Sequence, residues 1–251
     1  MLRWAFVLSS VVRERRPRGP LTHDSWNPLY LSPVRPVKPA NAAQIVEALS
    51  APRLTKYCAA EPVLDEALEL YAWNAQVSAA LMVPAHFAEV VTRNAVSEAL
   101  TSVYGERWPW SSVFEFSLPS PHSPAYNPRR DLQSVRGKHP TTGKVIADLK
   151  FVFWQKMFTA RHDGRVWRHP ILSLFPNAAE GDPVKLRQRL YDDLEHIRRL
   201  RNRVAHHEPV IGRNLGDDLA RMLELVAIRS AETGAWLNLI EQASSAIAAR
   251  P

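Results

Sequence analysis

From Asn41 onward, apolar residues recur three and four positions apart through most of the chain, the mark of amphipathic helices, and no strand-like alternation of useful length interrupts them. Asn41 is a suitable N-cap for the run AAQIVEAL. Between Asp65 and Leu81 the spacing joins Leu64, Leu68, Tyr71, Ala72, Val77 and Leu81. Pro84 suits the first turn of a helix, so a second helix is predicted from there to about Tyr104, with Phe87, Val90, Val91 and Ala95 turned inward. Phe151, Phe153, Trp154 and Phe158 lie within a helical apolar pattern and read as core rather than as a surface for stacking bases. Asp182 and Pro183 supply the cap and first turn of the next helix. Beyond Pro209, helices are expected from near Asp217 and over about Ala231 to Ala249, the latter carrying Trp236, Leu237, Leu239, Ile240 and Ile247.

Three stretches break the pattern. Trp108 to Pro128 contains Pro119, Pro121, Pro124 and Pro128 among serines; it reads as a long surface loop pinned by Trp108 and Trp110, of a length that suggests a lid or a partner surface. Arg161 to Pro170 is a charged connection in which His162 and His169 are expected at the surface. The first forty residues mix Pro17, Pro20, Pro28, Pro33, Pro36 and Pro39 with the basic cluster Arg13, Arg15, Arg16 and Arg18. Residues 1–40 are therefore read as a disordered basic arm, or as translation begun upstream of the true start, with the folded domain at 41–251. Charges follow the short apolar run Trp4 to Val12 and no small-residue cleavage site is present, which argues against a secretion signal.

Composition adds little to this and excludes more. At 251 residues the chain is long enough for a substantial core, and no apolar run approaches the eighteen or so residues of a membrane span. The single cysteine, Cys58, excludes an internal disulfide and a cysteine-built zinc site, fits a reducing cytoplasm and reads as a small core residue. A net charge of +7, with far more arginine than lysine, favours a polyanionic partner, nucleic acid or an acidic protein. Arg129, Arg130, Arg136, Lys138, His139 and Lys144 form either a solvated face or a basic rim; Gly143-Lys144 lacks the glycine-rich lead and following hydroxyl of a phosphate loop.

One segment resists a bland reading. RRLRNRVAHHEP, Arg198 to Pro209, closes a helical run that opens near Pro183, and a turn of roughly 100° per residue along that run places Leu190, Leu194, Ile197, Leu200 and Val204 on one apolar stripe with Arg201 inside it. A guanidinium there is costly unless it meets an anion, such as a core carboxylate, or several acceptors. Asn202 and His206, four apart, share a face. Arg198, Arg199 and Arg203 suit a solvated face, and His206, His207 and Glu208 before Pro209 suit a helix end.

Arg201-Asn202-x-x-x-His206 resembles the Arg-polar-x-x-x-His motif of HEPN domains, and LRNRVAHHEP resembles the abortive-infection (Abi-like) branch of that superfamily. Three further blocks follow the same order. Leu70–Leu100 is similar to the family's leading helix pair, with its Tyr-x-Trp-Asn opening at Tyr71, Trp73 and Asn74 and its Glu-x-x-x-Arg-Asn turn at Glu89, Arg93 and Asn94. Lys144–Phe158 is similar to its middle helix, with Phe-Val-Phe-Trp where Phe-Gly-Phe-Trp is usual, and LSLFPNA to a short further element.

The resemblance implies an all-α, HEPN-like helical bundle with a Pro-rich insertion, and a metal-independent endoribonuclease acting as a toxin or anti-phage effector, with no cofactor. Arg, Asn and His suit RNA cleavage by RNA's own 2′-hydroxyl: an imidazole, with an ordinary pKa near 6.5, moves protons at neutral pH, and an Arg fork steadies the phosphorane-like transition state. Arg201 is then the phosphate binder, His206 the acid/base group and Asn202 the residue that fixes either, with Arg203 and His207 as auxiliaries. Glu89 and Arg93 form a surface ion pair or, with Asn94, orient Asn202 or His206 from behind. One histidine cannot serve as acid and base within one turnover, so the resemblance further implies a homodimer with two motifs facing one cleft. An antitoxin is a candidate restraint on such an enzyme, and no membrane is involved. The alternatives are a non-catalytic HEPN module binding RNA or a protein partner, and a helical interaction protein whose charge reflects genome composition.

Overall fold

Apolar spacing that satisfies a helix on both sides of Pro84 allows one helix to continue through it, and it does. The computed structural model describes residues 39–122 and 124–251; the basic N-terminal arm lies outside the described residues. These are all-α, with no strand among them. Helices α1 (Ala42–Leu49) and α2 (Ala51–Ala60) lead into α3 (Leu64–Tyr104), a single helix of 41 residues in place of the expected pair. Pro84 is buried in its interior. The missing N–H and the ring's clash with the preceding turn cost about 3 kcal/mol, but residues buried on both sides of it, Val77 and Leu81 before and Ala88 and Ala95 after, hold the two halves to one core. Gly105, at φ +81°, ends the helix.

Helix α3 is the spine. Packed against it are α1, α2, α7 (Phe151–Lys156), α9 (Pro183–Ala205), α10 (Leu215–Arg229) and α12 (Ala243–Ala248). The Tyr-x-Trp-Asn block explains itself here. Trp73 donates its indole N–H to the Ala246 carbonyl at 2.7 Å, and buried Asn74 accepts from the Val210 amide at 2.8 Å. Each satisfies a buried polar group while joining α3 to a distant part of the chain.

The Pro-rich insertion is more ordered than a surface loop. Trp108–Trp110 forms a 3-10 turn, α4 spans Ser112–Ser117, and α5 spans Pro128–Arg136 behind the Asn127 cap. Trp108 is fully buried and Trp110 half-buried, as pins should be. Much of the expected basic rim is engaged internally. Arg129 donates to the carbonyls of Glu115, Phe116 and Leu118, Arg136 reaches Pro109 and Glu115, and His139 meets Asp148. The middle helix is divided at Leu149 and Lys150, both extended, into α6 (Thr142–Asp148) and α7. Phe151, Phe153, Trp154 and Phe158 are core. A short α8 (Ile171–Leu174) follows.

Three further expectations are corrected. Cys58 is exposed, on the outer side of α2 whose core face is held by Leu54 and Tyr57. The C-terminal helix is two, α11 (Ala231–Ile240) and α12, and within α11 only Gly234 and Leu237 are buried, leaving Trp236 at 56% and Leu239 at 84% exposed. His162 is buried, inside a 3-10 turn that continues into a π-helical turn over Asp163–Trp167.

Two of these features give measurable expectations. Burial, reinforced by Arg161 and only partly opposed by Asp163, lowers the His162 pKa from 6.5 to about 4. Between those values the unfolded chain binds the extra proton, so stability is greatest above pH 6.5 and falls by up to about 3 kcal/mol as pH drops toward 4. His162→Phe should flatten that part of a urea-unfolding pH profile; an unchanged slope would sink the assignment. At Gly234 a Cβ would lie 2.8 Å from Cα and Cβ of Ala227 on α10. Gly234→Ala should therefore lower stability by about 1–3 kcal/mol through overpacking, although alanine is the better helix former.

Candidate functional site

Six arginines lie on α9, and five of them are spoken for. Buried Arg187 pairs with Asp163 at 2.7 Å. Arg189 is shared among Glu180, Asp193 and Glu224. Arg198 and Arg199 both hold Glu195, which they keep below the usual carboxylate range chiefly through the Arg198 hydrogen bond. Arg199 lies on the solvated face as expected, while Arg198 is half-buried. Arg203 donates from Nε and Nη2 to the Pro209 carbonyl at 3.2 and 3.0 Å and lies 3.5 Å from Glu208. Arg201 alone has no carboxylate or carbonyl partner among the described residues, and its Nε is buried without a hydrogen bond. The core carboxylate that would have explained it is absent among the described residues.

Why the helix stops where it does follows from its last turn. Asp182 caps the start, accepting from the Val184 and Lys185 amides, and Leu186, Leu190, Leu194, Ile197 and Leu200 form the buried stripe with half-buried Val204 at its end. At the C-terminus the Glu208 amide reaches back to the Arg203 carbonyl at 2.8 Å and the His207 amide to Val204 at 3.0 Å. This is a Schellman closure, with His207 at the left-handed position, φ +55°, where glycine is usual. Histidine tolerates that conformation better than most side chains, at some cost. Arg53 of α2 donates to the His207 carbonyl, and Asn74 holds the Val210 amide just beyond.

Within this frame Arg201 and Asn202 are half-buried and His206 is exposed. The His206 amide donates to the Asn202 carbonyl at 2.9 Å, but among the described residues the Asn202 and His206 side chains make no hydrogen bond, to each other or elsewhere. The motif is brought onto one turn and a half of one helix with all three functional groups uncommitted. His207 is exposed and serves the turn; Arg203 is occupied by the Pro209 carbonyl.

Glu89 and Arg93 pair with each other across one turn of α3, and Asn94 is exposed. None of the three shares a hydrogen bond or ion pair with Arg201, Asn202 or His206 among the described residues. Glu89 lies fifteen residues, roughly 22 Å of helix, beyond Asn74, the residue of α3 that meets the end of the motif.

Beside the motif is a cavity of about 300 Å³ lined by Arg53, Tyr57, Tyr71, Asn74, Ala75, Ser78, Ala79, Val204, His207 and Glu208. Another cavity, about 350 Å³ beneath the insertion around Tyr126, Asn127 and Asp131, shares no residue with the motif. The cavity beside the motif was the part that sequence reasoning missed. Tyr71 and Asn74 belong to a recognised block, but nothing in the spacing of Arg53 or Ser78 marks them for this place.

Scans of this chain against family models, curated proteins and solved structures return no match. Among the described residues no helix is long and apolar enough to cross a membrane.

The strained turn offers a direct test. His207→Gly removes the imidazole while supplying the residue that the left-handed position prefers, so thermal unfolding should shift upward by the equivalent of about 1 kcal/mol. Unchanged or reduced stability would mean that the side chain itself supports the turn.

Proposed function

We propose that this chain is a metal-independent endoribonuclease of the Abi-like HEPN type, acting in the cytoplasm as a toxin or anti-phage effector. The observation that carries the reading is Arg201: of the six arginines on α9 it alone lacks an anionic or carbonyl partner, and it sits beside an uncommitted Asn202 and an exposed His206. A half-buried guanidinium left without a partner is a costly arrangement unless an external anion completes it. A phosphodiester is such an anion.

In the reaction the 2′-oxygen attacks phosphorus as it loses its proton, and the bond from phosphorus to the 5′-oxygen breaks as that oxygen gains one. The products are a 2′,3′-cyclic phosphate and a 5′-hydroxyl. Arg201 binds the phosphoryl oxygens bidentately and steadies the charge that builds on them, His206 moves a proton, and Asn202 orients the imidazole or the phosphate. The lone His206 of one chain supplies half of the acid–base pair. A second copy related by a two-fold axis supplies the other half, and brings a second Arg201 to the same cleft. An antitoxin protein is the natural restraint on such an enzyme. The unheld imidazole of His206 also suits a second reading, a non-catalytic module that binds RNA or a protein partner through the same motif.

Purified protein incubated with total RNA in excess EDTA, followed by analysis of fragment 3′ ends, separates the two. Cyclic-phosphate ends are expected from the wild type, with loss of at least about 100-fold in His206→Ala and about 100- to 1000-fold in Arg201→Ala. Arg201→Lys should rescue poorly, because an ammonium cannot reproduce the fork. Since the buried Nε of Arg201 has no intramolecular partner, Arg201→Ala should not lower stability and should raise it, by up to about 1–3 kcal/mol. RNA that binds but stays whole in both wild type and variants would favour the non-catalytic module.

A further inference from the structure

The cavity beside the motif is finished on the inside as a recognition site. Its wall carries two phenol rings, Tyr57 and Tyr71, packed edge to face at 5.1 Å between centroids. Small residues of α3 complete its lining, half-buried Ser78 with Ala75 and Ala79 at the exposed edge. Tyr57 is only 1% exposed and Asn74 only 7%. Neither the Tyr57 hydroxyl nor the Asn74 side-chain amide nitrogen has a partner among the described residues, since Val210 occupies only the Asn74 oxygen. Burial, helped by neighbouring Tyr71 and opposed by Arg53, pushes the Tyr57 pKa up to about 12, so its hydroxyl keeps its proton. Arg53 adds a guanidinium anchored on the His207 carbonyl, and Glu208 a carboxylate engaged only loosely, at 3.5 Å, by Arg203.

Donors, an acceptor carboxylate and aromatic faces thus converge on a space at the small end of ligand cavities, room for one flat heterocycle and not for a peptide helix. Val204 is one turn from Arg201, and His207 follows His206 directly, so the opening lies within a residue of the motif. We propose that this cavity binds one nucleobase, guanine, of the strand whose phosphate rests on Arg201. This inference rests on the ribonucleolytic reading of the motif.

Guanine is the base whose edges match what is present. It alone offers adjacent N1–H and N2–H donors, which one carboxylate accepts together, as Glu208 can. Its O6 and N7 acceptors take bidentate donation from a guanidinium such as Arg53, with the Asn74 amide as a further donor. A splayed single-stranded base presents both edges while stacking on a phenol ring, the common mode of RNA base readout. Adenine lacks the N1–H donor, and the pyrimidines leave much of the volume unfilled. The left-handed turn at His207 gains a purpose, because it carries the chain from the end of α9 to Glu208 at the cavity edge in two residues.

The test uses the full chain carrying His206→Ala, titrated separately with guanosine, adenosine, cytidine and uridine monophosphates and followed by tyrosine and tryptophan fluorescence. Guanosine monophosphate should bind at least tenfold tighter than the other three. Ala75→Trp, filling the cavity from an exposed position, should abolish that binding, and the isosteric Glu208→Gln should reduce the preference for guanosine at least tenfold. In chains retaining His206, mapped cleavage sites should share a guanosine at one fixed position and lose that bias in Ala75→Trp. Equal binding of all four nucleotides, no binding, or binding unaffected by both variants would overturn the proposal. Unbiased cleavage together with no nucleotide binding removes the base site and leaves the nuclease standing. Guanosine binding by a chain that cuts no RNA keeps the base site and removes the nuclease.

Discussion

The end of α9 is the constraint around which the molecule is arranged. A helix end leaves carbonyls without partners, and here the chain must also turn sharply within three residues. Three parts of the sequence meet that demand. His207 enters the left-handed region so that the Glu208 amide can reach Arg203, Arg53 arrives from α2 to serve the His207 carbonyl, and Asn74 arrives from α3 to accept from Val210. Each group satisfies a backbone atom and, in doing so, fixes an element. Asn74 and Trp73 tie the spine helix α3 to Val210 and Ala246 at this end of the molecule.

Charge on α9 is distributed by the same logic of satisfied partners. Arg187 and Arg189 are structural, locked to carboxylates from neighbouring elements; Arg198 and Arg199 share the Glu195 carboxylate; Arg203 belongs to the turn. Subtracting these leaves a single guanidinium. The chain's basic character is therefore a poor guide to where an anion binds, since most positive groups near the motif are already engaged.

The helical class, the cap at Asp182, the apolar stripe of α9 and the oddity of Arg201 could all be read from the sequence, because each depends on residues close together in the chain. What could not be read depends on contacts between distant residues. Pro84 looked like a helix start because the local preference of proline is strong, and only packing on both sides overrides it. His162 looked like a surface histidine in a charged connection, and it is buried in a 3-10 turn beside residues distant in the chain, Pro119, Tyr126 and Pro128. The long C-terminal pattern carried enough apolar residues for a buried helix, yet Trp236 and Leu239 face outward because only Leu237 and the close approach at Gly234 are needed to seat α11. The cavity beside the motif draws on residues from 53 to 208 and has no linear signature at all.

That last property has a consequence for how the protein comes into being. Arg53 and His207 are 154 positions apart, and Asn74 and Val210 are 136 apart. Contacts of such separation close late, after the local helices have formed and the loop entropy between them has been overcome. During synthesis the N-terminal half leaves the ribosome with its share of the cavity wall and none of the motif, and α9 has no settled end until Val210 has followed it. A nascent chain therefore has the Asn74 contact that ties down the turn only once Val210 has been made, and a cavity lining drawn from residues 53 to 208 comes together only after that long span has closed.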